Sequence, residues 1–167
     1  LLTIPDLSNH QSYLNVGNTL QRLLELRVVP VVNENDVVAV DEIGEVFGDN
    51  DRLSALVANL VDADLLLILT DTDGLYSADP RTNPEATLIT EVDQVDARIE
   101  SLAGEELNSW ARGGMATKLE AAKLVTTSGI PMVMCHGRAE NAVSRAARGE
   151  PVGTFFKAAS GKMEARK

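Results

Sequence analysis

The sequence predicts an α/β fold in which a mostly parallel sheet carries helices on both faces. Residues 65–69 are five consecutive large apolar residues without polar alternation, which is typical of a strand buried on both faces. Helical and strand-like patterns alternate along the chain, as they do in sheets built from β-α-β units. The composition is 44% hydrophobic but only 4% aromatic, which indicates an aliphatic core.

The sequence of the N-terminal part predicts one helix before and one helix after a strand. After candidate caps at residues 6–8, leucines recur with helical spacing, which predicts a helix that ends near Arg27. The β-branched run at residues 28–32 predicts a strand, and Pro30 favours the strand's start or a bulge. Further expectations are a polar loop at 33–36, a short extended piece at 37–40, a hairpin or flap at 41–47, and a helix opened by 48–51 that runs through Val61 with Leu53, Leu56, Val57 and Leu60 inward.

The C-terminal part predicts shorter elements around two further strands. Gly129 and Gly149 are expected to end the helices before them. The expected elements are exposed turns at 77–84, a weak strand at 87–89, helices at 95–102, 116–127 and 139–148, and strands at 130–135 and 152–156. Residues 158–167 are polar and basic, as in a tail or linker, which leaves one domain at residues 1–157.

Charge and cysteine content restrict the class of protein. A net charge of −10 over 167 residues argues against non-specific binding to nucleic acid or anionic membranes. Cys135 is the only cysteine, so no internal disulfide forms, and this fits a reducing cytosol. The sequence has no 18-residue apolar run and no signal peptide.

Thr70 and Asp71 stand at the carboxyl end of the central apolar run. In parallel sheets, ligands bind beyond this end of the strands. Asp71 cannot bind a phosphate by charge, but it could accept hydrogen bonds from a sugar or a base. The alternative interpretation is a strand followed by an ordinary polar turn.

A glycine pair, Gly113 and Gly114, precedes the helix at residues 116–127. Glycines let the backbone approach a ligand closely, and amides at a helix N-terminus favour a phosphate. Lys118 falls in the first helical turn, where a cation opposes the helix dipole. A lysine there is usually solvated, but beside a glycine pair it could face an anion. The spacing of a P-loop is absent.

Two acidic loops could bind a polar substrate. In the loop at 48–51, Asp51 could hold a lysine ammonium while Asn50 binds a substrate, although helix capping explains the same residues. In the loop at 33–36, Asp36 could bind a substrate ammonium, although an Asx-type turn is the alternative.

The remaining candidates favour structural roles. His10 and His136 have no metal-ligand neighbours in sequence and are interpreted as surface residues. Cys135 is interpreted as a buried structural thiol, and Trp110 as a core or loop anchor rather than a base-stacking residue. We find no Ser-His-Asp set and no clustered metal ligands.

Four segments together resemble the glutamate 5-kinases of the amino acid kinase family. They are "VVPVVNENDVVAVDEI", "FGDNDRLSALVANLVDADLLLILTDTDGLYSADPRTNP", "GGMATKLEAAKLVTTSGI" and "GTFF", in the family's order over about residues 3–157. The resemblance implies a three-layer α/β/α fold and ATP-dependent phosphorylation of the γ-carboxylate of L-glutamate to glutamyl 5-phosphate, the first step towards proline. It also implies Mg²⁺ with the nucleotide and a cytoplasmic homo-oligomer inhibited by proline.

The resemblance also assigns roles to individual residues. Asp36 and Asn50 match glutamate-binding positions, and Asp51 matches an aspartate that organises catalytic lysines. Thr70 and Asp71 match nucleotide-binding positions. A second nucleotide loop is matched by Arg112, Gly113, Gly114, Met115, Ala116, Thr117 and Lys118, of which Lys118 matches a catalytic lysine.

Two departures from the family pattern modify these expectations. Family members usually carry Gly-Thr before the glycine pair, where this chain has Ala111 and Arg112; Arg112 could itself meet a phosphate. The family's first strand, glycine-rich loop and first catalytic lysine are not found in this sequence. The chain is therefore interpreted as part of the kinase domain, inactive when isolated. The alternatives are a kinase for acetylglutamate, aspartate, carbamate or uridylate, and a non-catalytic module that binds nucleotide and amino acid.

Overall fold

The computed structural model describes residues 1–35, 50–103 and 114–159. Four strands form one sheet in the order β1-β3-β4-β2. β1 pairs in parallel with β3, β2 pairs in parallel with β4, and β3 pairs antiparallel with β4. The elements are α1 (Ile4–Ser8), α2 (His10–Glu25), α3 (Asn50–Leu60), β1 (Leu66–Thr70), β2 (Glu91–Val92), α4 (Ala97–Ser101), α5 (Met115–Thr127), β3 (Met132–His136), α6 (Ala142–Ala147) and β4 (Thr154–Phe156).

Helices cover both faces of this sheet, as predicted. Because successive side chains of a strand point to opposite faces, Met132 and Met134 of β3 join a core with α3, α4 and α5. Val133 and Cys135 join a second core with α6. The three-layer α/β/α arrangement is therefore confirmed, and the Cys135 thiol is buried between layers, which raises its pKa by desolvation.

Small residues set the spacing between α3 and α5. Leu53 is buried as predicted, but the other buried positions of α3 are Ala55 and Ala58, whereas Leu56, Val57 and Leu60 are half-buried. Ala121 and Ala122 of α5 are almost fully buried in the same core. Alanines on both helices let the backbones approach closely, so the larger side chains lie beside the contact instead of within it.

The prediction of a strand at residues 28–32 is wrong. These residues have no regular structure, and Val29 and Val31 are 82% and 94% exposed. The neighbouring pairing is a single parallel bridge between Leu2 and Glu34. Proline at position 30 has no N–H to donate, and β-branched residues form a strand only where a partner strand completes the ladder.

Other boundaries differ by a few residues. The weak strand expected at 87–89 lies at Glu91–Val92, and Leu88 instead forms an isolated bridge with Tyr76. The cap of α2 is Asn9, whose side chain accepts hydrogen bonds from the backbone of Gln11 and Ser12. β1 is not buried on both faces, because it is the edge strand of the described sheet and Leu69 is 48% exposed.

The chain after β4 remains attached to strand β2 and to helix α5 through residue 159. The Lys157 amide donates to the Val92 carbonyl, and the Ala159 amide donates to the Thr126 carbonyl. The expected loops at 37–40 and 41–47 and residues 160–167 of the expected tail lie outside the described residues. The domain boundary at residue 157 stays a prediction.

Candidate active site

The site forms at the edge of the sheet where β1 and β3 end. These strands are parallel and in register from Leu66 opposite Met132 to Thr70 opposite His136. A short link joins α3 to the start of β1, and another joins α5 to the start of β3. Each helix packs against the strand that follows it and so runs back along it. The N-termini of α3 and α5 therefore reach the same edge as Thr70 and His136.

Asp51 and Lys118 form an ion pair between the first turns of these two helices. Lys118 Nζ lies 3.0 Å from Asp51 Oδ2, and the two side chains are only 15% and 12% exposed. The same oxygen accepts a hydrogen bond from Thr117 Oγ1 at 3.0 Å. The two residues that were predicted to be catalytic are thus brought together by the packing of α3 on α5.

The N-cap residue of α5 is a glycine, which has no side chain that could cap the helix. Gly114 is the N-cap residue, with extended backbone (φ −116°, ψ −171°) and no side-chain acceptor. The amides of Met115, Ala116 and Thr117 follow it in the first turn. Backbone amides at a helix start, next to a lysine ammonium, form the arrangement that stabilises a phosphate.

A second group of predicted residues lines an open cleft at the same edge. Thr70 and Asp71 line this cleft of about 560 Å³ together with His136, Gly137 and Arg138. Thr70 Oγ1 donates to Asp71 Oδ1 at 3.2 Å, and the Gly137 amide donates to the Thr70 carbonyl at 2.8 Å. The cleft therefore offers a carboxylate, a hydroxyl, an imidazole and a guanidinium to a polar ligand.

His136 and Arg138 line the same cleft, although they were not among the candidate site residues predicted from the sequence. His136 was interpreted as a surface residue, but it is half-buried at the end of β3, directly opposite Thr70. Its Nδ1 accepts a hydrogen bond from the Arg138 amide at 2.9 Å. The signal was present in the sequence: the rule that selected Thr70 and Asp71 at the end of one strand applies equally to the end of the next.

The loop that follows Asp71 is anchored to β4 by Thr154. The buried Thr154 Oγ1 accepts a hydrogen bond from the Leu75 amide at 2.8 Å and donates to the Ile89 carbonyl at 2.6 Å. Within the loop, the Tyr76 hydroxyl donates to Asp73 Oδ2 at 3.1 Å, and this hydrogen bond raises the pKa of Tyr76. The anchor at Thr154 holds the loop beside the cleft.

The remaining predicted residues are placed elsewhere or fall outside the described residues. Asn50 is exposed at the first position of α3 and lines a separate groove of about 400 Å³ with Pro30 and Val32. Asp36, Arg112 and Gly113 lie outside the described residues, and their roles stay predictions.

Two features are absent from the described residues, which are 1–35, 50–103 and 114–159. In these ranges no three His, Cys, Asp or Glu side chains gather in a way that could hold a metal ion. The same ranges contain no helix with the length and apolar character that a membrane span requires.

Comparison with known proteins gives a family match over most of the chain. The model of the amino acid kinase family matches residues 2–136. Glutamate 5-kinase of Dehalococcoides mccartyi (strain CBDB1) is 54% identical over 157 residues, which are 93% of this chain and 42% of the relative. Glutamate 5-kinase of Pseudomonas fluorescens (strain Pf0-1) is 51% identical over 167 residues, which are 100% of this chain and 44% of the relative. The chain thus spans less than half the length of these relatives.

Solved structures share the fold at low sequence identity. UMP kinase from Ureaplasma parvum superposes with a TM-score of 0.56 at 17% identity, over 84% of this chain and 52% of that one. UMP kinase from Bacillus anthracis gives a TM-score of 0.56 at 16% identity, over 86% of this chain and 52% of that one. At such identities the likeness concerns the arrangement of strands and helices.

Proposed function

The chain belongs to the amino acid kinase family, and on that basis we propose that the protein transfers the γ-phosphoryl group of ATP to the γ-carboxylate of L-glutamate. The observation that carries this proposal is the Asp51–Lys118 pair, which places a fixed ammonium beside the N-terminus of α5. The choice of glutamate is supported by the relatives, which are named glutamate 5-kinases and are 54% and 51% identical to the chain.

The chemistry of the reaction explains why a cation matters more than a base. A carboxylate is already ionised at neutral pH, so no proton needs to be removed from it. The difficulty is the repulsion between this anion and the anionic phosphoryl group, which alignment and nearby cations must overcome. Lys118 Nζ would stabilise charge on the transferring group, and Asp51 would hold that ammonium in place without itself donating a proton.

The two groups of site residues divide the substrates between them. We propose that the cleft at Thr70, Asp71 and His136 binds the nucleoside, since hydroxyl, carboxylate and imidazole groups suit a ribose and a base. The triphosphate would extend towards the α5 amides and Lys118. Asp36 and Asn50 would bind glutamate, with Asp36 opposite its ammonium, and Arg112 and Gly113 would add contacts to the phosphates.

Mg²⁺ would arrive with ATP as part of the substrate. In the described parts of the chain, no cluster of carboxylates and imidazoles offers it a set of protein ligands. An ion held mainly by phosphate oxygens and water fits this arrangement, because Mg²⁺ keeps several waters and binds nucleotides in this way. We therefore expect phosphate oxygens and water to supply most of its ligands.

Inhibition by proline, a homo-oligomeric state and a cytoplasmic location complete the proposal and depend on the resemblance. Proline, as the end product, would lower the rate at subsaturating glutamate. A titration of proline in the activity assay and light scattering of the full-length gene product test the first two points directly.

A panel of acceptors tests the proposed substrate. ADP formation by the full-length gene product is measured with glutamate, N-acetylglutamate, aspartate, carbamate and UMP, each with Mg²⁺ and ATP. We expect turnover with glutamate and background rates with the others. Turnover with a different acceptor would contradict the substrate assignment. Binding of ATP and glutamate by calorimetry without any ADP release would favour a sensing module over a kinase.

A further inference from the structure

Thr117 contacts the same carboxylate oxygen that binds the proposed catalytic lysine. Asp51 Oδ2 lies 3.0 Å from Thr117 Oγ1 and 3.0 Å from Lys118 Nζ. Thr117 and Lys118 are consecutive in α5, and consecutive side chains of a helix point in directions about 100° apart. They therefore reach Asp51 from two different sides.

The single proton of the Thr117 hydroxyl has two acceptors within hydrogen-bond distance. The hydroxyl oxygen also lies 2.9 Å from the Gly114 carbonyl oxygen. A hydroxyl has one proton to donate, and here two acceptors lie at nearly equal distances from it. In this rotamer the proton is directed into the protein, so the side chain has no proton left for a phosphate oxygen.

The choice of threonine favours a fixed hydroxyl. In a helix, threonine has two preferred χ1 rotamers, because its hydroxyl can bond a carbonyl of the preceding turn. The bond from Thr117 Oγ1 to the Gly114 carbonyl is of this kind, and it keeps the hydroxyl near Asp51. An acidic residue in the first turn of α3 could otherwise rotate towards the amides at its own helix N-terminus, where a carboxylate is stabilised. The bond from Thr117 opposes that rotation.

We propose that Thr117 is a positioning residue whose hydroxyl fixes the Asp51 carboxylate, and through it the Lys118 ammonium, and whose side chain does not bind the nucleotide. The role of this lysine in phosphoryl transfer rests on the function proposed above. The proposal that Thr117 positions Lys118 through Asp51 does not depend on the role of Lys118 in phosphoryl transfer.

Amine labelling tests this positioning role without an activity assay. The full-length gene product is treated with a trace of an amine-reactive reagent, and labelling at Lys118 and Lys123 is measured by peptide mass spectrometry. Lys118 is 15% exposed and paired, so it should react slowly, whereas Lys123 is 57% exposed. Thr117→Val, which removes the hydroxyl and keeps the shape, should raise labelling of Lys118 by about tenfold, as for one hydrogen bond to a charged group.

Four further variants identify the cause of the change in labelling. Thr117→Ser keeps the hydroxyl and should restore slow labelling, and Thr127→Val makes the same change at an exposed position of α5 and should have no effect on Lys118. Asp51→Asn should raise labelling at Lys118 by itself, and adding Thr117→Val to it should have little further effect, because the pathway through Asp51 is already lost. Independent, multiplying effects of the two changes would overturn the inference.

Kinetics then separate positioning from nucleotide binding. For a positioning residue, Thr117→Val should lower kcat by about tenfold and leave the KM for ATP within about twofold. A raised KM for ATP with unchanged kcat and unchanged Lys118 labelling would show that the side chain contacts the nucleotide and would overturn the proposal. If the parent protein forms no ADP, the proposed function fails, while the labelling result still decides whether Thr117 positions Lys118.

Discussion

At the scale of single residues, we expect substitution of Lys118 to lower turnover more than any other substitution considered below. Lys118→Ala should lower the turnover of the full-length gene product by roughly 10²–10³, the usual cost of removing one transition-state stabiliser. The KM for glutamate should change little, because the ammonium acts on the transferring group. The matched control is Lys123→Ala, an exposed lysine of the same helix that pairs with Glu100. A turnover within about threefold of the parent after Lys118→Ala would remove the lysine from the mechanism.

Asp36 tests the division of the site between the two substrates. Asp36→Ala should weaken the apparent affinity for glutamate, since a buried charge left unpaired costs about 2–5 kcal/mol in comparable interfaces. Saturation with ATP should be nearly unchanged. Asn50→Ala should act in the same direction and less strongly, because it removes a neutral group. If ATP saturation shifts while glutamate saturation does not, the assignment of Asp36 to glutamate is wrong.

Two glycines with positive φ allow the stability cost of an unfavourable backbone conformation to be distinguished from the cost of a steric clash. Gly149 and Gly153 have φ of +71° and +61°. A Cβ at Gly153 would lie 2.0 Å from the Met134 carbonyl oxygen, whereas a Cβ at Gly149 would meet nothing within 4 Å.

Gly149→Ala should therefore lower the free energy of unfolding by about 1–2 kcal/mol, the cost of the left-handed conformation. Gly153→Ala should cost at least about 2 kcal/mol more, because the added carbon also overpacks β3. Urea denaturation of both variants measures the difference, and equal costs would contradict the close contact.

At the scale of elements, the hydroxyl of Thr154 connects strand β4 to the loop beside the cleft at Thr70 and Asp71. Thr154→Val removes the group that satisfies both the Leu75 amide and the Ile89 carbonyl. Each buried polar group left without a partner costs about 1–3 kcal/mol, so the variant should be clearly less stable than the parent in urea. Thr154→Ser retains the hydroxyl and should recover most of the loss. Equal stability of the valine and serine variants would show that the hydroxyl does not hold the loop.

The elements that were predicted well from the sequence are those whose own residues form a recognisable pattern. The unbroken apolar run before Thr70 and the run before His136 gave β1 and β3 because buried parallel strands need no polar alternation. The acidic loop at residues 48–51 predicted the start of α3, and the glycine pair at residues 113–114 predicted the start of α5. Residues 28–32 have the same β-branched composition as a strand, but a strand depends on its partner, which composition does not contain. The shift from 87–89 to Glu91–Val92 has the same origin, since pairing with Phe155 and Phe156 fixes β2.

At the scale of the whole molecule, the order of the strands brings the site together. β1 and β3 are neighbours although more than 60 residues separate them in sequence, and this places His136 and Arg138 beside Thr70 and Asp71. The sequence allowed the ends of individual strands to be selected but did not reveal which ends are adjacent. From the residues alone, Asp51 could hold a lysine or cap its helix, and Lys118 could face an anion or be solvated. The family resemblance, which matches Asp51 to an aspartate that organises catalytic lysines and Lys118 to one of them, was what connected the two residues.

In the proposed function, Lys118 and Asp51 support the transfer of a phosphoryl group to a carboxylate of glutamate. The most direct measurement is the product itself: the full-length gene product is incubated with Mg²⁺, ATP, glutamate and hydroxylamine, which converts an acyl phosphate into a hydroxamate. We expect γ-glutamyl hydroxamate and ADP in equal amounts, both dependent on glutamate and both greatly reduced by Lys118→Ala. ADP without hydroxamate, or hydroxamate formation that is unchanged by Lys118→Ala, would contradict the claim.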